Sequence, residues 1–142
     1  MAIYASDTQL YSCFEQLFAI IERHDSKAVN ALLKAALAIR FDCTAPAAAI
    51  TIDARRAPVN VLYGPNTVRP TIEIGLTADT LHCLLLGALR LRKAVGSNQL
   101  DMKGPVWKTL ALADIFHHAQ ALYPAVLQQH ALPVTCPETV RA

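Results

Sequence analysis

The chain has 142 residues, of which 54% are hydrophobic and 17% charged, and its formal net charge is +2 at pH 7. This length suits one domain, since a chain of this size buries about 68–70% of its unfolded surface in a single core. The small net charge, with no aromatic residues interleaved among basic ones, argues against nucleic-acid binding. The apolar balance leaves three possibilities open: a lined cavity, a surface covered by a partner, or a compact alanine-rich core.

The hydropathy of the chain and the spacing of its cysteines indicate the compartment in which it resides. No apolar run approaches the roughly 18–20 residues that span a bilayer, and the N-terminal residues lack the basic flank and hydrophobic region of a signal peptide. We therefore expect a soluble, cytoplasmic protein. The four cysteines, Cys13, Cys43, Cys83 and Cys136, are widely spaced without a C-x-x-C pair. This spacing favours buried free thiols over disulfides or metal ligands.

Two helices are predicted at the start of the chain. Ser6 followed by Gln9 forms a capping box, and apolar residues then recur at helical spacing as far as Ile21. His24 and Asp25 mark the end of this helix. A second apolar stripe begins at Ser26 and predicts a helix that ends by Ala38.

The hydrophobic period then changes to two. Residues 39–43, 47–53 and 59–63 alternate between apolar and polar positions and predict three strands, with turns at Pro46 and Pro58. Residues 71–77 and 99–103 predict two more strands in the same way. The short connections favour antiparallel pairing, because a parallel return needs a crossover of about a dozen residues.

The segment 71–104 joins a strand, a helix, a short second helix and a strand almost without spacers. Thr77 is a suitable N-cap, Asp79 lies in the first turn, and leucines follow at helical spacing until Gly87 ends the helix. Residues 88–95 predict the short helix, and a turn at 96–98 leads into the last strand. Five strands with four helical segments to cover one face predict an α+β layer structure.

This segment resembles a known family. The run T-x-D-x-L-x-x-L-L-L-G-x-L, then K-A-V, then N-Q-L-D-M-K-G, is similar to the signature of the sterol carrier protein 2 (SCP-2) domain family. Asn98 stands where the family usually has glycine, and Gln99 where it has a charged residue; asparagine tolerates the left-handed backbone of that turn. The resemblance implies a five-stranded, largely antiparallel sheet covered on one face by four to five helices, in a single domain over residues 1–132 followed by a C-terminal tail, 133–142.

The last long helix should start near Pro105, which suits a first helical turn, and carry a broad apolar face. We expect it to kink or restart at Pro124 and to act as a lid over the interior. The residues from Pro133 onward have two prolines and little periodicity, and they predict a tail.

The resemblance implies a non-enzymatic carrier without a cofactor, whose apolar tunnel holds a fatty acyl, acyl-CoA, sterol or isoprenoid-like ligand. The residues that we predict to line the tunnel wall lie on the central helix, the closing strand and the following helix: Leu81, Leu84, Leu85, Leu100, Met102, Trp107 and Leu110. For each of them, plain core packing is the alternative. Another class of function stays open, a homodimeric or accessory module for a lipid-pathway enzyme with no ligand of its own.

Several histidine, aspartate and basic residues could form a metal, catalytic or anion-binding site. Asp114, His117 and His118 have a spacing that could serve a metal or a hydrolytic reaction, but a solvated helix face explains it better, because no H-E-x-x-H, G-x-S-x-G or Walker motif occurs. His82 and His130 are predicted at the surface or the edge of the core. The basic residues could contact an anionic head group or form a solvated face: Arg55, Arg56, Arg90, Arg92 and Lys93.

Overall fold

The computed structural model describes residues 3–24, 26–105, 110–137 and 140. Two helices come first, then four strands, two more helices, a last strand and a long helix. The bounds are α1 (Asp7–His24), α2 (Ser26–Ala35), β1 (Ala38–Thr44), β2 (Ala48–Asp53), β3 (Asn60–Tyr63), β4 (Ile72–Thr77), α3 (Ala78–Leu86), α4 (Leu91–Gly96), β5 (Asp101–Lys103) and α5 (Leu110–Gln129).

The five strands form one sheet in the order β3-β2-β1-β4-β5. Three of the four neighbouring pairs are antiparallel, and β1 with β4 is parallel. The prediction of a five-stranded, largely antiparallel α+β fold is therefore confirmed, and the parallel pair is the exception to the antiparallel pairing that short connections favour. The physical reason is that β1 and β4 are joined through β2 and β3, a connection long enough for a parallel return.

Apolar residues of the sheet lie on the face that the helices cover. Side chains at alternate positions of β1 and β4 are buried there, and Phe41 at the centre of β1 pairs with Ile50 of β2 and Ile74 of β4. The opposite face carries polar side chains. There Arg40 forms an ion pair with Glu73, with 3.7 Å between Nη1 and Oε2. The core thus lies between one side of the sheet and the helices, as an α+β layer structure requires.

Local sequence signals set the start of α1 and both ends of α3. The Gln9 N–H donates to Ser6 Oγ at 3.2 Å, and the Ala5 N–H donates to Gln9 Oε1 at 2.7 Å, which satisfies free donors at the start of α1. Thr77 Oγ1 accepts from the Thr80 N–H at 3.0 Å and caps α3. Gly87 ends α3 with a φ of 79°. These predicted caps are confirmed.

The turn before β5 uses a left-handed asparagine. Asn98 has a φ of 60°, the backbone conformation that glycine would adopt more easily. Gly104 follows β5 with a φ of 119°, and a Cβ there would lie 2.3 Å from the Thr71 carbonyl oxygen. The chain therefore needs glycine at this second position, whereas asparagine suffices at the first.

Helix α5 is continuous across Pro124, so the expected restart at this proline does not occur. Proline lacks an N–H and so removes one hydrogen bond from the helix. Tyr123, Val126 and Leu127 around it are buried. Packing of these neighbours against the core holds the helix together where the backbone bond is lost.

The C-terminal segment packs against the domain. Cys136 forms a disulfide with Cys83 of α3, Val140 is buried, and Gln99 Nε2 donates to the Val140 carbonyl oxygen. The prediction of free thiols is wrong for this pair and confirmed for Cys13 and Cys43, which are buried and unbonded. The two bonded cysteines are 53 residues apart, and only the return of the chain end across α3 brings them together.

Candidate functional site

An enclosed apolar cavity lies between α1, the sheet and the helices α3 and α5. Its volume is about 10 Å³, which is room for about one water molecule. The residues that line it are all aliphatic or aromatic: Phe14, Leu17, Phe18, Ile21, Phe41, Ile52, Leu85, Leu112, Ile115 and Phe116. Such a lining favours hydrocarbon over any polar ligand.

The aromatic part of this lining is a continuous row of rings. Phe14 lies 6.4 Å from Phe18 and 6.4 Å from Phe41, and Phe41 lies 6.3 Å from Phe116, between ring centroids. The chain has four phenylalanines, and all four line the cavity. Ring contacts of this kind contribute about 0.5–1.5 kcal/mol each beyond the burial of the rings themselves.

A surface cleft of about 610 Å³ adjoins the cavity between α3, α4 and α5. Its lining combines an apolar floor with a polar rim: Leu84, Gly87, Leu89, Arg90, Leu91, Ala113, Phe116, His117 and Gln120. Phe116 lines both the cavity and the cleft and is buried between them. Phe116 is therefore the side chain that the two linings have in common.

The residues predicted for the tunnel wall lie at several places. Leu85 lines the cavity and Leu84 lines the cleft. Leu81 and Leu100 are buried and Met102 is half-buried, and these three line neither space. Trp107 and the side chain of Leu110 lie outside the described residues.

Most of the cavity lining was missed by sequence reasoning. The helix α1 contributes Phe14, Leu17, Phe18 and Ile21, which the helical period identifies only as a core-facing stripe. A usable signal was the phenylalanines, because they are few and every one of them points into the same space.

The two free thiols of the core are poor nucleophiles. Burial raises the pKa of Cys13 to about 11, and burial together with the nearby charge of Asp42 raises the pKa of Cys43 to about 12. A thiol is reactive only as the thiolate. Both side chains therefore act as small hydrophobic groups in the core near neutral pH.

His82 is buried within α3, so the prediction that places it at the surface or the edge of the core is wrong. Its Nδ1 lies 2.8 Å from the hydroxyl of Tyr123, and its Nε2 lies 3.0 Å from the carbonyl oxygen of Thr135. Burial lowers the pKa of this imidazole. The leucine spacing around His82 predicts a helix, but it does not indicate that the segment around Thr135 packs against this histidine.

Of the polar residues predicted on α5, His117 lines the cleft. His117 is exposed, His118 is half-buried, and their ring centroids lie 5.7 Å apart. The side chain of Asp114 lies outside the described residues. Across the described part of the chain, no group of three or more His, Cys, Asp or Glu residues is arranged to hold a metal ion. His130 is half-buried, and its Nε2 lies 2.9 Å from Gln16 Oε1.

The basic residues form two separate groups. Arg90 lies on the cleft rim, and Arg92 and Lys93 are exposed on the adjoining helix α4. Arg55 belongs to the second group and forms an ion pair with Asp53, with 2.9 Å between Nη2 and Oδ2. This pairing lowers the pKa of Asp53. Arg56 lines the same surface pocket as Arg55. Only the first group borders the apolar site.

Within the described ranges, no helix has both the length and the hydrophobicity needed to cross a bilayer. A mixed sheet, a helical layer and an apolar interior define the fold as an α+β domain that can hold an apolar ligand. The model of the SCP-2 sterol transfer family matches residues 14–117, and the chain belongs to this family. This membership supports a lipid-binding or lipid-transfer domain.

Solved structures show the same fold at low sequence identity. The sterol carrier protein 2 of Yarrowia lipolytica in its apo form is 17% identical, with a TM-score of 0.62 over 84% of this chain and 98% of that chain. The sterol carrier protein domain 2 of Helicoverpa armigera is 16% identical, with a TM-score of 0.63 over 79% and 88%. A protein described as UbiJ-SCP2, ubiquinone synthesis protein, is 18% identical, with a TM-score of 0.50 over 65% and 76%. No protein with a curated description matches the chain in sequence.

Proposed function

We propose that this protein is a non-enzymatic lipid carrier, which holds a hydrocarbon chain in the space between α1, the sheet and α5. The observation that supports it is the enclosed cavity lined only by apolar side chains, in a chain of the SCP-2 family. The ligand class is a fatty acyl, acyl-CoA, sterol or isoprenoid-like molecule. The remaining predicted wall residues would contribute as the interior opens.

Ligand entry requires the interior to expand. The cavity of about 10 Å³ is far smaller than the roughly 300–1,000 Å³ of ordinary ligand pockets. The adjoining cleft supplies about 610 Å³, and Phe116, which lines both spaces, would move to join them. The apolar tail would then lie along the row of phenylalanine rings.

The head group of the ligand would lie in the cleft. Arg90, His117 and Gln120 line the cleft rim, above an apolar floor that includes Leu84 and Leu89. A guanidinium, an imidazole and an amide offer hydrogen bonds and one fixed positive charge to an oxygen-rich or anionic head group. The site thus combines an apolar interior with one polar mouth.

A substitution pair on one helix tests this entry route. Ala113 is exposed and lines the cleft, so Ala113→Trp should fill the cleft without disturbing the core. The control is Ala125→Trp, which places the same side chain at an exposed position of α5 that does not line the cleft. The affinity for a fluorescent fatty acid should fall about tenfold or more in Ala113→Trp, which is a loss of about 1.4 kcal/mol of binding free energy. In Ala125→Trp the affinity should stay unchanged. Equal affinities in two folded variants would contradict the route.

Native mass spectrometry after gentle extraction tests the function itself. A co-purified lipid on the protein is the expected result. A ligand-free protein without affinity for fatty-acid probes would remove the carrier function, whatever the behaviour of the Ala113 variant.

One observation favours the second candidate function, an accessory or homodimeric module without its own ligand. The interior is almost filled by its own side chains. The fold is also similar to that of the protein described as a ubiquinone synthesis protein. In this case the same native mass spectra would show a lipid-free dimer or a complex with a lipid-pathway enzyme.

A further inference from the structure

A second surface groove lies at the other end of the sheet, between α1 and the edge strand β3. Its volume is about 310 Å³. Val61 and Tyr63 of β3 form one side, and Glu15, Ala19 and Glu22 of α1 form the other. The three α1 residues are exposed, and the β3 residues are half-buried. The groove therefore has an apolar wall along the strand and an acidic wall along the helix.

The backbone of β3 is available along this groove. In the sheet of the described residues, β3 pairs on one side only, with β2. Gly64 N donates to Ala49 O at 2.8 Å, so residues 60, 62 and 64 face β2 in this antiparallel register. The N–H and C=O groups of Val61 and Tyr63 therefore point outward, toward any strand added at the edge.

Side chains of β3 alternate between the two faces of the sheet. Val61 and Tyr63 pair with Ile52 and Ile50 and so lie on the helix-covered face, where the Tyr63 ring is 5.3 Å from the Tyr11 ring of α1. A strand added beside β3 would present every second side chain to this same face. Those side chains would meet the acidic wall of α1.

The acidic wall acts on the groove electrostatically. Burial, and then the negative charges of Glu15 and Glu22, raise the pKa of Tyr63. The two glutamates are seven residues apart on α1, which is about 10 Å along the helix axis. Alternate residues of a strand are about 7 Å apart, so two flexible lysine or arginine side chains could reach both carboxylates.

We propose that this groove binds an extended peptide segment of a partner protein, which adds a strand to β3 and places Lys or Arg side chains against Glu15 and Glu22. Main-chain hydrogen bonds to Val61 and Tyr63 supply affinity, and the alternate cationic side chains supply specificity. The groove lies at the β3 end of the sheet and shares none of the residues that line the cleft beside α4, whereas Phe18 lines both the groove and the apolar cavity.

A second copy of this chain is a poorer occupant. Two β3 strands paired across a twofold axis would bring the acidic residues of both copies to the same junction. Like charges in such an arrangement destabilise the pairing. A cationic partner segment meets the same surface with opposite charge.

The test uses a fluorescein-labelled peptide, Lys-Val-Lys-Val-Lys, with blocked ends, and the full chain. Fluorescence anisotropy should show binding that is lost when the backbone amide nitrogens of the peptide are methylated. Each of Glu15→Lys and Glu22→Lys should weaken binding about fivefold or more, whereas Asp101→Lys on the opposite edge strand β5 should not. Hydrogen exchange of the Val61 and Tyr63 amides should slow on binding.

Three results would overturn the proposal. The first is that the methylated peptide binds as tightly as the unmethylated one. The second is that Asp101→Lys loses as much peptide affinity as the glutamate variants. The third is that the amides of Val61 and Tyr63 exchange at the same rate with and without bound peptide. The proposal would also be overturned if, without peptide, exchange at these amides became slower as the protein concentration rose. That result would assign the β3 edge to a second copy of the chain.

Discussion

At the scale of the residue, the hydrogen bonds around His82 fix its tautomer. The carbonyl oxygen of Thr135 can only accept, so Nε2 of His82 carries the proton and donates to it. Nδ1 then accepts from the hydroxyl of Tyr123, whose oxygen accepts in turn from the hydroxyl of Tyr4. This chain of hydrogen bonds satisfies three buried polar side chains and joins α3, α5 and both ends of the chain.

Stability should fall in mild acid because of His82. Its pKa in the folded state is below the unfolded value of 6.5, so the unfolded chain binds the proton more tightly. The contribution of neutral His82 is complete above pH 6.5 and is lost as the pH falls from 6.5 through the folded pKa. Urea unfolding between pH 7.5 and 5 should show this loss.

The control for this prediction is a pair of substitutions. His82→Gln should be less stable at pH 7.5 and should show a flatter pH dependence below pH 6.5 than the unsubstituted chain. His117→Gln, at an exposed position, should retain the full dependence. An unchanged slope in His82→Gln would assign the acid sensitivity to another group.

At the scale of the element, α3 shows how local signals and packing act together. Its N-cap and its glycine C-cap follow from neighbouring residues alone. The position of Gly87 is also limited by α5, because a Cβ there would lie 2.5 Å from Cδ of Gln120. Helix α5 passes this close because both helices cover the same side of the sheet.

Two glycines at the C-terminal ends of helices should respond differently to alanine. Gly87→Ala forces a left-handed alanine and displaces the Gln120 side chain, which should lower the free energy of unfolding by about 1–2 kcal/mol. Gly96→Ala, at the end of α4, meets nothing within 4 Å and should change stability by less than about 0.5 kcal/mol. Chemical denaturation of both variants measures the difference, and equal values would contradict the assigned role of Gly87.

At the scale of the whole molecule, the C-terminal segment joins parts of the fold that are distant along the chain. The disulfide Cys83–Cys136 fixes it to α3, and Val140 lies close to the turn before β5 through its bond from Gln99. Because α3 contributes Leu84 to the cleft and Leu85 to the cavity, the segment also holds one wall of the proposed lipid site. We propose that it belongs to the domain rather than forming a separate tail.

Reduction of the disulfide should destabilise the whole domain. The bond closes a loop with a sequence separation of 53 residues, and a loop of this size corresponds to about 4 kcal/mol in the chain-entropy description. The thermal midpoint should therefore fall on addition of dithiothreitol. Cys83→Ser/Cys136→Ser should have the lowered midpoint without reductant and show no further response.

Cys13→Ala supplies the matched control, since it removes a buried free thiol and leaves the disulfide in place. This variant should still respond to dithiothreitol. A double-serine variant that remains sensitive to the reductant would contradict the role assigned to the bond.

Sequence periodicity, capping residues and the leucine-bearing signature by themselves determined the five strands, the helices before and after them, the ends of α3 and the family. These features depend on residues within a few positions of one another, so a single sequence contains them. Only the tertiary structure decided the parallel pairing of β1 with β4, the burial of His82, the Cys83–Cys136 bond and the convergence of all four phenylalanines on one cavity. Each of these joins residues far apart along the chain, and their meeting is set by how the helices pack on the sheet, which no local pattern encodes.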